Sequence, residues 1–285
     1  MDYINVKKCT AKPTIPMTKE AFGPIPNTAI YWLAGAGFMI NARGTIIMLD
    51  PLMKTRPDDP SRCETGALLK VKYPIDADDV PKLDAILYTH SDADHLAEQT
   101  SKSLCRLNPK MIGPPPAFER MARMRLDIDL LVSCRSKDIY EYPNVRIEVF
   151  PADHPWQLLN PTRQKRIFRA GDSVGFIVET PDVRCFFPGD TRLMEEHLSL
   201  FDINFLAFDV SLCTYHLNPL GAKVLANTLK DAYLIPYHYG TIDGPNPAMN
   251  GDPATILDEV ENGYERALIV APGEPVVFAG KKLVK

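Results

Sequence analysis

The stretch Asp84-Ala85-Ile86-Leu87-Tyr88-Thr89-His90-Ser91-Asp92-Ala93-Asp94-His95 decides how the rest of the chain is read. Its first half is a continuous apolar run, the pattern of a strand buried on both faces. Its second half places His90, Asp92, Asp94 and His95 in the six residues that follow. In open α/β sheets, ligands gather at the C-terminal ends of strands. Four imidazole and carboxylate groups in one such loop cannot all be buried without a partner, because a buried unpaired charge is costly.

Working outward, the same arrangement recurs three times. Phe150-Pro151-Ala152-Asp153-His154 ends an apolar run on His154, Phe186-Phe187-Pro188-Gly189-Asp190-Thr191 ends one on Asp190, and Leu234-Ile235-Pro236-Tyr237-His238 ends one on His238. One polar strand end is usually a satisfied structural residue. Four in series predict convergence on one pocket.

The surrounding pattern predicts strands at 29–33, 38–41, 45–49, 84–89, 111–112, 130–132, 145–150, 174–179, 183–187, 205–208, 233–235, 267–270 and 276–278. Helices are expected at 97–107, 117–126, 192–200, 220–229 and 254–261. Residues 1–27 are Pro-rich and aperiodic and read as an extended arm on the surface. Residues 52–82 read as a polar, Pro-rich insertion, and 151–172 as a long loop without periodicity. Strands closed by helices in each half predict layered α/β architecture: one domain over 28–285, preceded by the 1–27 arm.

Composition narrows the function classes. The 285 residues are 45% hydrophobic and 24% charged, with 32 Lys+Arg against 36 Asp+Glu and a net charge of −4. That is an ordinary globular balance, with no global call for nucleic acid or an anionic membrane. The six cysteines form no CxxC pair and read as reduced thiols in a cytoplasmic protein. The N-terminal MDYINVKKCT lacks the apolar segment of a secretory signal.

The motif set as a whole resembles the metallo-β-lactamase superfamily. It comprises the His-x-Asp-x-Asp-His block at 90–95, the lone His154, Gly189-Asp190-Thr191 and the late His238, with an opening segment WLAGAGFMINARGTIIMLDP that ends in Asp50-Pro51. Within the superfamily, WLAGAGF, VPKLDAILYTH, MIGPPP, FFPGDTR and IPYHYGT are similar to the ascorbate-phosphate lactonase-like branch and to N-acyl phosphatidylethanolamine phospholipase D. The resemblance implies a four-layer αββα sandwich holding one or two divalent metal ions, Mn²⁺, Zn²⁺ or Fe²⁺. His90, Asp92 and His154 would hold the first, Asp94, His95 and His238 the second, and Asp190 would bridge them. Asp94 would also orient the hydroxide that attacks, and Asp50 would steady the ligand loop. Asp92 stands where the superfamily usually has histidine. Its harder oxygen leans the first site toward Mn²⁺ or Fe²⁺.

The implied activity is metal-dependent hydrolysis of an ester-like bond, first a lactone of an acidic or phosphorylated small molecule. The alternatives are a phosphodiesterase, a non-hydrolytic metal-binding protein and an iron-dependent redox protein. His216 is a candidate general acid, and Arg192 a candidate contact for an anionic group. Arg163, Lys165, Arg166 and Arg169 could close over a phosphate or carboxylate. Trp156 could wall the pocket, Tyr239 could donate to a developing oxyanion, and His197 is expected on an exposed helix face. A small-molecule substrate, no nucleic acid or membrane partner, and a homo-oligomer complete the expectations.

Overall fold

A computed structural model describes residues 9–159, 167–243 and 250–284. In chain order the first half holds β1 (Thr28–Ala34), β2 (Gly37–Ala42), β3 (Thr45–Leu49), β4 (Leu68–Leu69), β5 (Ala85–Leu87), α1 (Glu98–Cys105), β6 (Lys110–Gly113), α2 (Pro115–Arg123) and β7 (Leu131–Ser133). The second half holds β8 (Ile139–Tyr142), β9 (Val145–Ala152), β10 (Ser173–Glu179), β11 (Arg184–Phe187), β12 (Phe205–Asp209), α3 (Asn218–Thr228), β13 (Tyr233–Tyr237), β14 (Ile242–Asp243), α4 (Ala254–Leu257) and α5 (Gly263–Arg266). The closing strands β15 (Pro275–Ala279) and β16 (Lys282–Leu283) return to the first sheet.

Two sheets result. The larger has the order β16-β15-β1-β2-β3-β5-β6-β7, and the smaller β13-β12-β11-β10-β9-β8. Each begins as an antiparallel meander and becomes parallel, from β3 through β7 in one and from β11 through β13 in the other. Parallel neighbours need crossovers, and α1, α2 and α3 supply three of them.

The layering follows from side-chain alternation. In β3, Ile47 and Leu49 join the core between the sheets, while Ile46 and Met48 join a second core with Leu104 of α1 and Met121 of α2. The TIIML run is apolar throughout because both of its faces are covered. Between the sheets, Phe38 meets Phe187, Phe205 and Tyr237 edge-on, with centroids 5.3, 6.2 and 5.9 Å apart. Each such ring, fully buried, contributes roughly 1.5–3 kcal/mol by removal from water. Helix, sheet, sheet and helix stack as the αββα sandwich expected.

The structure corrects several local expectations. Residues 192–200 form no α-helix, only a 3-10 turn at Glu195–Ser199. His197 is not on a surface: it is fully buried, packs against Phe150 and Phe186, and its Nδ1 accepts from the Met194 amide. That burial holds the imidazole neutral, pushing its pKa down to about 4. The helix expected at 254–261 is shortened to α4, and a second short helix, α5, starts beyond it after Asn262 at φ 52°. Residues 267–270 make one bridge, Leu234 to Ala267, and no strand. The unforeseen β8 is a half-exposed edge strand, IYEY, too polar on one face to stand out in sequence.

Within the described part of the arm, Ala11, Ile15 and Met17 donate backbone hydrogen bonds to Gly240, Pro272 and Pro74. No helix among the described residues is long and apolar enough to cross a membrane. No disulfide links any of the six cysteines.

Candidate metal centre

The ligand loop is set by Asp50 at the end of β3. Its Oδ1 accepts from the Thr89 amide at 2.8 Å, and its Oδ2 accepts from Thr89 Oγ1 at 2.6 Å and from His95 Nδ1 at 2.8 Å. Asp50 holds this position at φ 41°, in the left-handed region that non-glycine residues enter at a cost. Across the seam between the sheets, Gly189 lies so close to Thr89 that an added Cβ would sit 2.7 Å from the Thr89 Cβ. Glycine is therefore required one residue before Asp190, and the close approach brings the two strand ends together.

Asp190 is buried at the centre. Its Oδ2 lies 3.2 Å from His216 Nε2, 3.3 Å from His95 Nε2, 3.8 Å from His154 Nε2 and 3.9 Å from His90 Nε2. Its Oδ1 accepts from His238 Nε2 at 3.0 Å. Five imidazoles thus surround one carboxylate. Asp92 Oδ2 stands 3.6 Å from His90 Nε2 and 3.7 Å from His154 Nε2. Asp94 is half-buried on the same loop and makes no hydrogen bond or ion pair within the cluster.

For three of the five rings the far side fixes the tautomer. His95 Nδ1 donates to Asp50, His154 Nδ1 to the Tyr215 carbonyl at 2.8 Å, and His216 Nδ1 to Asp209 Oδ2 at 2.8 Å. Carboxylates and carbonyls only accept, so the proton sits on Nδ1 and Nε2 keeps its lone pair. His238 holds its place at φ 56°, and its carbonyl accepts from the Gly251 amide.

Charge in the cluster is mutually dependent. Burial pushes the Asp190 carboxyl up, but the charges of His216, His95 and His238 outweigh it and hold it well below the carboxylate range. Burial lowers His95, yet Asp190 and Asp50 raise it well above its ordinary value. His154 and His238 rise for the same reason, through Asp92 with Asp190 and through Asp190 respectively. Asp92 is lowered despite burial by its contacts with His154 and His90.

The residues fit a divalent metal. The Nε2 atoms of His90 and His95 are buried with no hydrogen-bond partner. Native proteins leave few such atoms unsatisfied, and lone pairs converging on a carboxylate are what an N/O-ligated cation satisfies. Three groups bring ligand atoms close enough to share an ion: His90, His154 and Asp190; His95, Asp190 and His238; Asp190, Asp209 and His216. Among the seven ligands expected, His90, His95, His154, Asp190 and His238 meet in these groups, Asp92 borders the first, and Asp94 enters none.

The other candidates are placed differently. Arg192 Nε donates to Asp153 Oδ2 at 2.8 Å, which commits its guanidinium to the residue preceding His154. Tyr239 is buried and stacks on Trp32 at 5.2 Å, as part of the core. Trp156 lines a cavity of about 480 Å³ beside His90, Asp92 and His154. Arg169 is exposed, and Arg163, Lys165 and Arg166 lie outside the described residues. Asp209 was not anticipated, although Phe205-Leu206-Ala207-Phe208-Asp209 is a further apolar strand that ends on a carboxylate.

Comparison with known proteins agrees with this architecture. A hydrolase described as UPF0173 metal-dependent hydrolase from Polaromonas sp. is 26% identical over 263 residues, covering 88% of this chain and 90% of that one. A possible metal-dependent hydrolase from Veillonella parvula superposes with TM-score 0.67 at 17% identity, covering 88% of this chain and 99% of that one. A metallo hydrolase from the archaeon Ignicoccus hospitalis superposes with TM-score 0.62 at 18% identity, covering 88% and 98%. At such identities the two solved structures speak for the fold. The profile of the family described as "Beta-lactamase superfamily domain" matches residues 46–239, from β3 through His238, and the chain therefore belongs to that family within the metallo-β-lactamase superfamily.

Proposed function

We propose that the protein is a metal-dependent hydrolase that opens an ester-like bond of a small molecule, with a lactone as the first choice. The observation that carries this reading is the convergence of five imidazole Nε2 atoms on Asp190, with two of them buried and unpartnered. The name of the Polaromonas relative supports the metal-dependent hydrolase class. The lactone choice rests on the sequence resemblance to the ascorbate-phosphate lactonase-like branch.

His90, Asp92 and His154 would hold one ion and His95, Asp94 and His238 the other, with Asp190 between them. A bound divalent metal there supplies a Lewis acid and lowers the pKa of water. The chain's own groups do the rest. Asp50 and the Tyr215 carbonyl fix the ring orientations. His216, held at Nδ1 by Asp209, presents Nε2 beside Asp190 and, once that nitrogen has taken up a proton, would pass it to the departing alkoxide. Asp209 accepts from its Nδ1 and stabilises the imidazolium, as a buried carboxylate does for a catalytic histidine. The oxygen of Asp92 favours Mn²⁺ or Fe²⁺ over Zn²⁺.

The test is reconstitution with Mn²⁺, Fe²⁺ or Zn²⁺, followed by a panel of lactones and a chromogenic phosphodiester. Lactone hydrolysis that a chelator abolishes is expected. Protein that binds no metal, or that turns over the phosphodiester in preference to every lactone, would overturn the reading, and oxygen consumption would point to redox chemistry instead.

A further inference from the structure

Residues 52–82 lie between β3 and β5, and their two faces differ. Ion pairs such as Arg56 with Asp58 and Arg62 with Asp59 are exposed on the outside, where such pairs contribute little. On the inside, Leu52 and Cys63 are buried with Ala97, at the start of α1, in a small core of their own that Leu69, Tyr73 and Ile242 help to complete. Ala97 lies two residues after His95, and Ile242 four residues after His238. One apolar plug thus backs the elements that carry two of the clustered histidines.

Polar contacts follow the same two routes. Ala97 offers no side chain to cap α1, and Glu64 supplies the cap from outside. Its Oε2 accepts from the Gln99 amide at 2.5 Å, and its Oε1 from the Thr100 amide at 3.0 Å and Thr100 Oγ1 at 2.5 Å. A carboxylate there satisfies N–H groups that the first turn leaves unpaired and suits the positive end of the helix. Glu64 is itself hooked by its amide to the Lys54 carbonyl at 2.9 Å. The second route is backbone. In the β4–β14 pair Leu69 stands opposite Ile242, and the Lys70 amide donates to the Thr241 carbonyl at 2.9 Å. The turn it meets needs support, because His238 and Gly240 hold φ values of 56° and 62°. The Lys70 ammonium also donates to the Cys9 carbonyl, and Ala11 next to it in the arm donates to the Gly240 carbonyl at 2.9 Å.

We infer that residues 52–82 brace the His95–His238 half of the metal centre, with Glu64 the positioning residue for His95 and the Leu69–Lys70 strand edge the positioning element for His238. The inference rests on the reading of the cluster as a metal centre. Neither group is a ligand; each fixes an element on which a ligand stands. His95 and His238 come from different sheets yet must meet one ion. The brace ties their two elements to each other, so their separation is set before a cation arrives. His154, by contrast, follows β9 and is fixed by the Tyr215 carbonyl.

The test measures binding of Zn²⁺ and of Mn²⁺, each alone, to the full chain by competitive chelation. Glu64→Ala and Leu69→Ala are made in the wild-type chain and in two backgrounds. His154→Ala isolates the ion held by His95 and His238, and His95→Ala isolates the other. Each brace variant is expected to weaken the first ion by about fivefold, the scale of a lost helix cap, and to leave the second unchanged. Glu64→Gln, which keeps one of the two acceptor oxygens, restores part of the loss. Hydrogen exchange reads the same contacts without an ion: in metal-free Glu64→Ala the Gln99 and Thr100 amides should exchange faster, while unchanged amides in β1–β3 show that the variant is folded.

Unchanged affinity for the His95–His238 ion in both variants would overturn the inference and leave the metal centre standing. Equal weakening in both backgrounds would also overturn it, because residues 52–82 would then serve general stability. A wild-type chain that takes up neither ion would overturn the metal-centre reading and the inference together. Selective weakening in a chain that hydrolyses no lactone would uphold the inference while the lactone reading fails.

Discussion

The two sides of Asp190 are built from the same residue types but differ in access. On one side His95 is fully buried and anchored by Asp50, and His238 is buried at the end of β13. On the other, His90 and His154 border an open cavity, and the Asp92 side chain is a quarter exposed, against 4% for that of Asp50. The closed side is screened from solvent at His95 and His238 and is suited to keep its ion. The open side has a partly exposed carboxylate and room for a substrate. The comparison predicts two ions of unequal affinity, with the weaker one at the face where chemistry happens.

The largest effect should come from removing what both sides share. Asp190→Asn is expected to abolish activity and empty both positions, read as metal per chain after dialysis. His95→Ala and His154→Ala then separate the sides: the first should cost the tightly held ion, the second only the weaker one. Equal losses would break the comparison. Next comes His216→Ala, expected to lower kcat by about 10²–10⁴-fold while metal content is retained. A parallel loss of metal would make His216 a ligand, in line with its place in the third group with Asp209 and Asp190.

Asp50→Asn should weaken metal binding by about 10–100-fold, the usual effect of losing the partner that orients a ligand. The fall should concentrate on the His95 side, which competitive chelation would read.

The smallest effect is on stability and pH. In metal-free protein, His95, His154 and His238 have raised folded pKa values. Their contribution to stability is complete below the ordinary value of 6.5 and is lost as pH rises through the folded values. Asp190 and Asp92 are depressed, so their contribution is present above 3.8 and lost as pH falls toward their folded values. Metal requires neutral imidazoles, so its stabilisation grows with pH. Thermal melts of metal-free and metal-loaded protein should therefore diverge on raising the pH above 6.5.

Most of the sheet framework was legible because its strands are apolar on both faces. The 45–49 run coincides with β3, and DAILYT contains β5. What escaped had weak or misleading patterning. Strand β8 sits at an edge with one wet face, and the polar-looking segment around His197 folds its imidazole into an aromatic pocket. At the site, His90, His154, Asp190 and His238 stood out because each closely follows an apolar strand, and His95 because it shares the loop of His90. Asp209 obeys the same rule and was passed over, since its role appears only once His216 is placed beside it. The engagement of Arg192 by Asp153 is a tertiary fact that sequence does not carry, because the partners come from different strands' ends.

The order of the ligands along the chain has a further consequence. His90 and His95 follow β5 of the first sheet, whereas His154, Asp190 and His238 come from the second. During synthesis, the early histidines emerge long before the late one exists. The complete donor set arises only after the second sheet has closed on the first, with Gly189 seated against Thr89. A cation held by that set would therefore act as a completion check on folding: a half-made chain could not fully capture it, and full loading would mark molecules whose two sheets have already docked.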